Sequence, residues 1–546
     1  MSKGYLSLVL HAHLPFVYHP DIDNMLEERW FYEAITETYI PLIEVFEHLV
    51  KDEVPFRLTI SLSAPLISMM RNPLLQERYL KHLDKLIELS WKEIDRTGCE
   101  PHYHGLALMY NRRFREAREL FVNRYHKDLT SAFKLFQDLG YLEIITSAAT
   151  HGYLPILNIN QQATKAQINV AVDYYAQVFG HPPKGMWLPE CAYVPGLDQL
   201  LYDAGLQYFF LDTHGIAHAD PRPRYHVFAP LFCPSGIAAF GRDEESSKEV
   251  WSSKEGYPGD PDYREYYRDL GWEREFDYIK PYIHPDGIRI NTGMKYWRIT
   301  GKSEYKEAYR PDWAQNKAAV HAQDFLNKRQ HQIKHLSKFM DRKPIVIAPY
   351  DAELFGHWWF EGPMWIDYLI RKTVYDQGIV ELKTPGDYLN EYPTNQMATP
   401  AASSWGYKGF NEFWLNEHND WIYRHLHMAG DRMCTLAGKY SSYLKNANRG
   451  ELLYRALNQA ARELLLAQSS DWPFIMKTQT MVSYAQTQVR SHLGRFNKLF
   501  DDILNDRIDE DWLKQIEWRD DIFKDLDCAA YYTNLEGKHS FLHQAR

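Results

Sequence analysis

Short apolar runs of strand length recur through the first two thirds of the chain, and each run ends in polar or ring-bearing residues. The runs are continuous instead of alternating, which is typical of parallel strands that are buried on both faces. Seven such runs stand out, at residues 6–10, 56–62, 142–145, 185–188, 208–211, 237–240 and 345–348. The pattern therefore predicts a sheet of parallel strands.

Helical patterns fill the intervals between several of these runs, for example at residues 162–179 and 195–204. Alternating strands and helices indicate an α/β protein. Polar residues at successive strand ends favour a β/α barrel, because such a barrel builds its active site from the loops at the carboxyl ends of its strands. Seven candidate strands are one short of a complete (β/α)8 barrel, so we expect an incomplete (β/α)7 barrel.

Two stretches break this rhythm. Residues 72–140 carry long amphipathic helical patterns, and we interpret them as a helical subdomain inserted between the second and third strands. After about residue 398 the strand signals vanish and helical patterns dominate. The predicted organisation is a catalytic barrel at residues 1–71 and 141–398, the inserted subdomain at 72–140, and an α-helical C-terminal domain at 399–546 that contributes to the active site.

Composition narrows the class of partner. The 546 residues are 45% hydrophobic and 25% charged, with a net charge of -10 and no block of clustered Lys and Arg. Nucleic acids and anionic membranes both attract clustered positive charge, so we expect neither as a partner. No run of about 18 apolar residues occurs, and no membrane span is predicted. A neutral substrate fits this composition better.

The cysteines and aromatic residues add two further indications. The five cysteines are scattered and lack CxxC spacing, so neither a disulfide framework nor a zinc cluster is indicated. The apolar run at residues 5–10 is too short for a signal peptide, and we expect a cytoplasmic protein. The chain also holds 16 Trp and 38 Tyr, several of them in polar, glycine-rich segments where a flat ring suits stacking against a sugar.

Two carboxylates each follow a predicted buried strand and have proline and aromatic neighbours. Glu190 ends the segment Trp187-Leu188-Pro189-Glu190, and Asp351 ends the segment Pro349-Tyr350-Asp351. Cleavage of a glycoside with retention needs two carboxyl groups about 5–5.5 Å apart, one to attack and one to donate a proton. Two strand ends at one barrel mouth can supply that pair, whereas a single strand-end carboxylate can equally be a helix cap or an ion-pair partner.

His11 and His13 form an HxH pattern at the end of the first predicted strand. Alternate residues of a strand share a face, so the two imidazoles could bind a divalent metal ion. A metal-dependent barrel hydrolase is therefore an alternative, with a ligand set completed by His151, His214 and Asp351. Hydrogen bonding of the imidazoles to sugar hydroxyls fits better, because a metal site would leave the abundant tryptophans unexplained.

Five segments resemble, in order, the sequence regions of glycoside hydrolase family 57. They are HAHLP at 11–15, ATHGYLP at 149–155, WLPECAY at 187–193, PYDAELFGHWW at 349–359 and SSDWPF at 469–474. The resemblance spans nearly the whole chain. It implies an incomplete (β/α)7 barrel and a retaining double displacement with Glu190 as nucleophile and Asp351 as general acid/base. It also implies that no metal and no other cofactor takes part.

Within that family the chain most resembles the branching enzymes, which cleave an α-1,4 linkage of an α-glucan and transfer the chain to a 6-hydroxyl. The resemblance implies that further residues contact the glucan by stacking or hydrogen bonding. These residues are His11, His13, Trp30, His151, Trp297, Trp405, Trp414 and Asp471. We expect an α-glucan polysaccharide as the partner and a monomer or weak oligomer as the assembly.

Residues 241–272 are rich in Gly, Pro, Asp, Ser and Tyr, and a loop of this length is usually functional. The sequence GYPGD at 256–260 resembles the loop tip that places a tyrosine over the active site in branching enzymes of the family. Transfer instead of hydrolysis requires that water is kept from the intermediate. Tyr257 is therefore our candidate for a lid residue.

Several alternatives stay open from the sequence. A 4-α-glucanotransferase or an α-amylase would use the same two carboxylates, because only the acceptor differs. A metal-dependent barrel hydrolase and a non-catalytic glucan-binding protein belong to other classes. The pairing of Glu190 with Asp351 favours the glycoside chemistry over both.

Overall fold

A sheet of parallel strands forms the centre of the computed structural model, which describes residues 2–252 and 255–532. Within these residues the chain forms nine strands. They are β1 (Gly4–Ala12), β2 (Leu58–Leu62), β3 (Leu142–Ser147), β4 (Gly185–Trp187), β5 (Tyr208–Leu211), β6 (Leu231–Phe232), β7 (Ala238–Gly241), β8 (Ile345–Asp351) and β9 (Val380–Leu382). Every residue of β1, β2 and β3 is buried, as continuous apolar runs predict.

The strands lie in the order β6-β7-β5-β4-β3-β2-β1-β8, and β9 pairs with the start of β1. Strand β6 runs antiparallel to β7, and the other neighbouring strands pair in parallel. The two edges meet where Arg242, just after β7, bridges Ile347 of β8. The sheet therefore curls into a barrel of seven parallel strands, and the predicted incomplete (β/α)7 fold is confirmed. The short strands β6 and β9 were not predicted.

Helices fill the connections of the barrel and cover its outside. In the part of the chain before residue 400 they are α1 (Glu28–Ala34), α2 (Ile40–Lys51), α3 (Ala64–Met70), α4 (Pro73–Arg96), α5 (Pro101–Glu119), α6 (Leu129–Asp138), α7 (Leu154–Leu157), α8 (Gln161–Phe179), α9 (Leu197–Asp203), α10 (Thr213–Ala217), α11 (Glu244–Trp251), α12 (Leu270–Glu273), α13 (Phe276–Ile279), α14 (Pro311–Leu336), α15 (Gly362–Tyr375) and α16 (Pro385–Glu391).

Helices α4, α5 and α6 occupy the interval between β2 and β3. The start of α4 follows from its sequence, because the Asn72 side chain accepts hydrogen bonds from the backbone N–H groups of Leu74 and Leu75. Pro73 then stands at the first helical position, where a missing N–H costs nothing. Leu75, Tyr79 and other residues at helical spacing are buried, so the amphipathic pattern has become a packed helical layer.

After residue 400 the described chain is helical. Its helices are α17 (Trp421–Lys439), α18 (Ser441–Leu444), α19 (Leu452–Ala467), α20 (Asp471–Thr478), α21 (Val482–Leu504) and α22 (Glu510–Arg519). Helix α19 is buried along most of its length and packs against α17, α21 and α22. The last part of the predicted C-terminal domain, residues 533–546, lies outside the described residues. The predicted domain limits stay a prediction.

Residues 241–272 are more regular than their sequence indicates. Asp243 accepts a hydrogen bond from the backbone N–H of Ser246 and caps α11, whose first turn also carries Glu244 and Glu245. A 3-10 turn follows at Tyr257–Gly259, and α12 lies near the end of the segment. The predicted long loop therefore contains short helical segments on either side of residues 253 and 254, which lie outside the described residues.

Candidate active site

The polar residues singled out in the sequence meet at the carboxyl ends of the strands. His11 of β1 pairs in register with Asp351, the last residue of β8. Glu190 follows β4 after a single turn, and His151 follows β3. Because parallel strands present their carboxyl ends at one barrel mouth, these side chains share a cleft.

Glu190 is held by residues of the C-terminal part of the chain. The indole N–H of Trp405 donates to Glu190 Oε2 at 2.8 Å, and the Ser470 hydroxyl donates to Oε1 at 3.1 Å. The backbone N–H of Trp405 also donates to the Glu190 carbonyl oxygen at 3.0 Å. Glu190 has a φ of 63°, a left-handed conformation that is uncommon outside glycine and that typically marks a functional site.

Three histidines form a stacked cluster beside Glu190. The His13 and His151 rings lie 3.9 Å apart between centroids, and His11 Nε2 lies 3.0 Å from His151 Nε2. Serines anchor the outer nitrogens, since His11 Nδ1 lies 3.2 Å from Ser61 Oγ and His13 Nδ1 lies 2.8 Å from Ser63 Oγ. The cluster therefore has a fixed geometry.

Charge is divided unequally within this cluster. Burial lowers the pKa of His11 and of His151 well below the usual histidine range, with help from neighbouring histidines. Burial also acts to lower the pKa of His13, but Asp471, 3.1 Å from His13 Nε2, raises it overall. Burial acts to raise the pKa of Asp471, and His13 lowers it overall. The cluster thus consists of two neutral imidazoles and one His13–Asp471 ion pair.

Both candidate catalytic acids have raised pKa values. Burial raises the pKa of Glu190 to about 7, and the negative charges of Asp471 and Asp351 add to this effect. Burial raises the pKa of Asp351 to about 6, although Asp351 borders the open cleft. The negative charge of Asp351 contributes to the raised pKa of Glu190, so the two carboxylates are electrostatically coupled.

Glu353 is a third acid of this neighbourhood, and the sequence reasoning did not select it. The backbone N–H of His13 donates to Glu353 Oε1 at 3.3 Å, and the Tyr39 hydroxyl donates to the same oxygen. Burial raises the pKa of Glu353 to about 7. Tyr39 ends a π-helical turn, Ile35–Tyr39, that joins α1 to α2. Such turns are frequent at functional sites.

Of the predicted aromatic walls, Trp405 lies at the reaction centre and Trp414 lies behind it. Trp405 is partly exposed, and the Arg242 guanidinium lies 5.8 Å from its ring. Trp414 is only 1% exposed, and its ring stacks on Tyr153 at 4.6 Å. Trp414 is therefore covered by protein and cannot stack on a sugar in this structure, which corrects the predicted role.

Two other predicted residues, Trp30 and Trp297, have no contact with either candidate catalytic carboxylate among the described residues. Trp30 is partly buried and meets Tyr484 edge to face at 6.1 Å. The indole N–H of Trp297 donates to Glu273 Oε2 at 2.8 Å, so this ring is hydrogen-bonded to the end of α12. None of the contacts of Trp30 or Trp297 within the described chain is with Glu190 or Asp351.

The position of Tyr257 does not match the predicted lid. Its hydroxyl donates to Asp324 Oδ2 at 2.8 Å, and its ring stacks on His321 at 4.5 Å. Both partners belong to α14, and Tyr257 is only 8% exposed. A ring packed in this way faces α14 instead of the cleft, which corrects the expectation that Tyr257 covers the site.

Trp358 was not among the predicted substrate-binding residues, but it is an exposed aromatic residue in the segment that follows Asp351. It is 54% exposed and stacks on Tyr266 at 4.5 Å, and its backbone N–H donates to the Glu353 carbonyl oxygen. The signal in the sequence was the pair Trp358-Trp359 within the segment that follows Asp351. Trp359, its neighbour, is buried.

Two groups of side chains have the composition of metal sites. His13, His151 and Asp471 place possible ligand atoms within 4.8 Å of one another, and so do Glu463, His492 and Asp520. In the first group His13 already bonds to Asp471, and His151 bonds to His11 and to Ser470. These bonds satisfy the imidazoles within the protein, so a cation at this position would have to displace them.

A barrel with two coupled acids at its mouth defines a class of protein whose site suits the cleavage of a glycosidic bond. The chain belongs to glycosyl hydrolase family 57, whose family description matches residues 7–344. A second family description, the C-terminal region of 1,4-alpha-glucan branching enzymes, matches residues 425–531. Both matches agree with the resemblance inferred from the sequence.

Solved structures from three organisms are similar over nearly the whole chain. The alpha-amylase AmyC of Thermotoga maritima is 45% identical with a TM-score of 0.90, covering 97% of this chain and 99% of its own. The GH57-type branching enzyme of Pyrococcus horikoshii is 30% identical with a TM-score of 0.86, covering 98% of both chains. The branching enzyme TK1436 of Thermococcus kodakaraensis is 30% identical with a TM-score of 0.85, covering 97% of both chains.

Among the described residues, no helix is long and apolar enough to cross a membrane.

Proposed function

We propose that this protein is a 1,4-alpha-glucan branching enzyme, which cleaves an α-1,4 linkage and transfers the released chain to a 6-hydroxyl. The observation that carries this proposal is that Glu190 and Asp351 lie at one barrel mouth in a chain whose residues 425–531 match the C-terminal region of 1,4-alpha-glucan branching enzymes. Glu190 receives two hydrogen bonds that favour its ionised form, whereas no donor in the described part of the chain reaches the Asp351 carboxylate. The pair is thus suited to one nucleophile and one acid.

In the first step the ionised Glu190 attacks the anomeric carbon of an α-1,4-linked glucose. The bond to the leaving oxygen breaks, and Asp351 gives its proton to that oxygen. The products are a glucan with a new free 4-hydroxyl and a glycosyl ester on Glu190. The ester has the opposite anomeric configuration because the attack inverts the carbon.

In the second step Asp351, now ionised, takes the proton of a glucan 6-hydroxyl while that oxygen attacks the anomeric carbon. Glu190 leaves as a carboxylate, and the second inversion restores the α configuration. Water in place of the 6-hydroxyl would give hydrolysis by the same route. The branching reaction therefore depends on the acceptor occupying the cleft before water does.

The neighbouring side chains have roles that follow from their contacts. We propose that the partly exposed His13 and Asp471 bind hydroxyl groups of the sugar next to Glu190, and that His11 and His151, whose ring nitrogens bond to protein groups, hold this region in place. Trp405 holds Glu190 through its indole N–H, and its partly exposed ring is a candidate for contact with the substrate. Trp30 and Trp358 are candidates for glucan contacts farther along the cleft, and Trp414 supports the wall from behind.

We also propose the finer assignments of organisation and compartment. The barrel at residues 1–71 and 141–398, the inserted helices and the α-helical C-terminal domain would form one enzyme that acts as a monomer or weak oligomer in the cytoplasm. All five cysteines are unpaired, which agrees with a reducing compartment. The bond between Ser470 and Glu190 makes the C-terminal part necessary for the site.

An α-amylase is the second candidate. The specific observation in its favour is the 45% identity with AmyC, an alpha-amylase of Thermotoga maritima. The position of Tyr257 also favours it, because the tyrosine that was expected to keep water out packs against α14 instead.

Incubation of the protein with amylose separates these functions. A branching enzyme creates linkages that isoamylase can release, with few new reducing ends before debranching. An amylase raises the number of reducing ends and leaves nothing for isoamylase to release, which would refute branching. Glu190→Gln protein, prepared in the same way, is the control for contaminating activities.

A further inference from the structure

Five polar groups form an unbroken line that ends at the nucleophile. Ser61 Oγ lies 3.2 Å from His11 Nδ1, and His11 Nε2 lies 3.0 Å from His151 Nε2. His151 Nδ1 lies 2.8 Å from Ser470 Oγ, which donates to Glu190 Oε1 at 3.1 Å. The line joins β2, β1, the loop after β3 and the start of α20, so it crosses from the barrel to the C-terminal helices.

The direction of every proton in this line follows from its ends. An ionised carboxylate can only accept, so the Ser470 hydroxyl must donate to Glu190. The Ser470 oxygen then accepts from an N–H at His151 Nδ1. A neutral imidazole carries one N–H, which leaves His151 Nε2 as the acceptor of an N–H at His11 Nε2. His11 Nδ1 in turn accepts the Ser61 hydroxyl proton.

Burial supports this arrangement because it keeps both imidazoles neutral. Ser61, His11, His151 and Ser470 are each at most 3% exposed. Burial lowers the pKa of both histidines, and the charge of His13 acts in the same direction. A protonated His151 would donate from both nitrogens and break the line at the contact with His11, whereas a protonated His11 would break it at the contact with Ser61.

The backbone around the line is fixed as well. The backbone N–H of Ser470 donates to the His151 carbonyl oxygen at 3.0 Å, and Gly152 and Ser469 form an isolated bridge. His151 has a left-handed φ of 57°. The His11 ring stacks on Trp187 at 4.8 Å. A strained backbone conformation that its surroundings hold in place is typical of functional sites.

We propose that Ser470 is a positioning residue, which orients the Glu190 carboxylate for attack and favours its ionised form through a directional line of protons that begins at Ser61. This inference rests on the proposed role of Glu190 as the nucleophile. The other groups that face Glu190 are Trp405, Asp471, Asp351 and His13. The substitution that tests the line leaves all four in place.

Neutron diffraction on deuterated crystals of the full chain tests the line without any turnover. The expected result is deuterium on His151 Nδ1 and on His11 Nε2, and no deuterium on His151 Nε2 or on His11 Nδ1. Deuterium on His151 Nε2, or on both nitrogens of either ring, overturns the proposal. Because this measurement needs no substrate, it separates a failure of the proton line from a failure of the proposed branching function.

Kinetics of Ser470→Ala give the second test. Loss of a hydrogen bond to a charged group raises the pKa of Glu190, so the acidic limb of the kcat/KM profile moves up by about one pH unit or more. The KM for amylose changes little, and Ser470→Thr, which keeps a hydroxyl, restores the native profile. An acidic limb at the native pH in Ser470→Ala protein with unchanged melting temperature overturns the proposal. A Ser470→Ala protein that fails to fold leaves the decision to the neutron structure.

Discussion

Glu190, just after β4, and Asp351, at the end of β8, lie at the same barrel mouth, but the protein holds them in different ways. Glu190 lies in a left-handed turn and accepts hydrogen bonds from Trp405 and Ser470, both supplied by the C-terminal part of the chain. Asp351 lies in extended backbone at the end of β8 and borders the open cleft, and no donor among the described residues reaches its carboxylate. Hydrogen bonds to a carboxylate favour its charged form.

The difference bears on the two pKa values. Burial raises both pKa values, to about 7 for Glu190 and about 6 for Asp351, and the charge of Asp351 contributes to the higher value. The hydrogen bond from Trp405 acts to lower the pKa of Glu190 against burial, and no such donor acts on Asp351. The double displacement needs the state in which Glu190 is ionised and Asp351 is protonated. We therefore expect a narrow bell-shaped activity profile with limbs near pH 6 and 7.

The largest expected effect is that of Glu190→Ala. Loss of the nucleophile removes the glycosyl ester, and turnover of amylose falls by about 10⁴-fold or more. Added azide can then enter the vacated space and attack once, so the product from an activated maltooligosyl fluoride is a β-glycosyl azide. Nuclear magnetic resonance of the product measures the anomeric configuration. An α-glycosyl azide would reverse the roles assigned to the two acids.

Asp351→Ala is the complementary change and is expected to cost less. A general acid contributes typically about 10²- to 10⁴-fold, so turnover of amylose falls within that range. A substrate with a good leaving group needs no proton, and its first step is retained. Azide then attacks the ester on Glu190, and two inversions give an α-glycosyl azide. Equal losses for the activated and natural substrates would contradict the acid role.

Trp405→Phe tests the support of Glu190, because it removes one hydrogen-bond donor to the Glu190 carboxylate and keeps an aromatic ring. A hydrogen bond to a charged group contributes about 1.5–3 kcal/mol, so kcat/KM at pH 6 falls by about 10- to 100-fold. The pKa of Glu190 rises, because its ionised form has lost a partner, and the acidic limb moves to higher pH. The readout is the pH profile on amylose.

Trp414→Phe is the matched control, because its indole N–H has no hydrogen-bond partner among the described residues. This variant loses packing but no donor to Glu190. Its acidic limb is expected at the native pH. A shift of equal size in both variants would show that disturbed packing, and not the lost donor, moves the limb.

The sequence predicts the barrel better than it predicts the support of the site. Buried parallel strands need continuous apolar runs, so all seven barrel strands were visible. Strand β6 has only two residues, and the middle residue of β9 is exposed, so neither forms a continuous apolar run. Glu190 and Asp351 were visible because each follows such a run. The contact between Glu190 and Trp405 joins residues 215 positions apart, and no local pattern records such a contact.

The aromatic residues show the limit of the same reasoning. Their number indicated sugar stacking, but composition does not say which face of the protein a ring meets. Trp414 and Tyr257 turned out to be covered by Tyr153 and by α14, and Trp297 is bonded to Glu273. Glu353 was not selected because it lies within the segment chosen for Asp351. In the structure, burial raises its pKa and the Tyr39 hydroxyl donates a hydrogen bond to it.

The smallest expected effect is that of Tyr257→Phe. The variant loses the hydrogen bond to Asp324, which contributes about 0.5–1.5 kcal/mol to the free energy of unfolding. The ratio of α-1,6 linkages to new reducing ends is expected to stay unchanged, because the Tyr257 hydroxyl points to α14 and not to the glycosyl ester. Chemical denaturation measures the first quantity, and debranching of treated amylose measures the second. A shift of products toward hydrolysis at native stability would restore Tyr257 as the lid, and it would require this segment to leave α14 when the glucan binds.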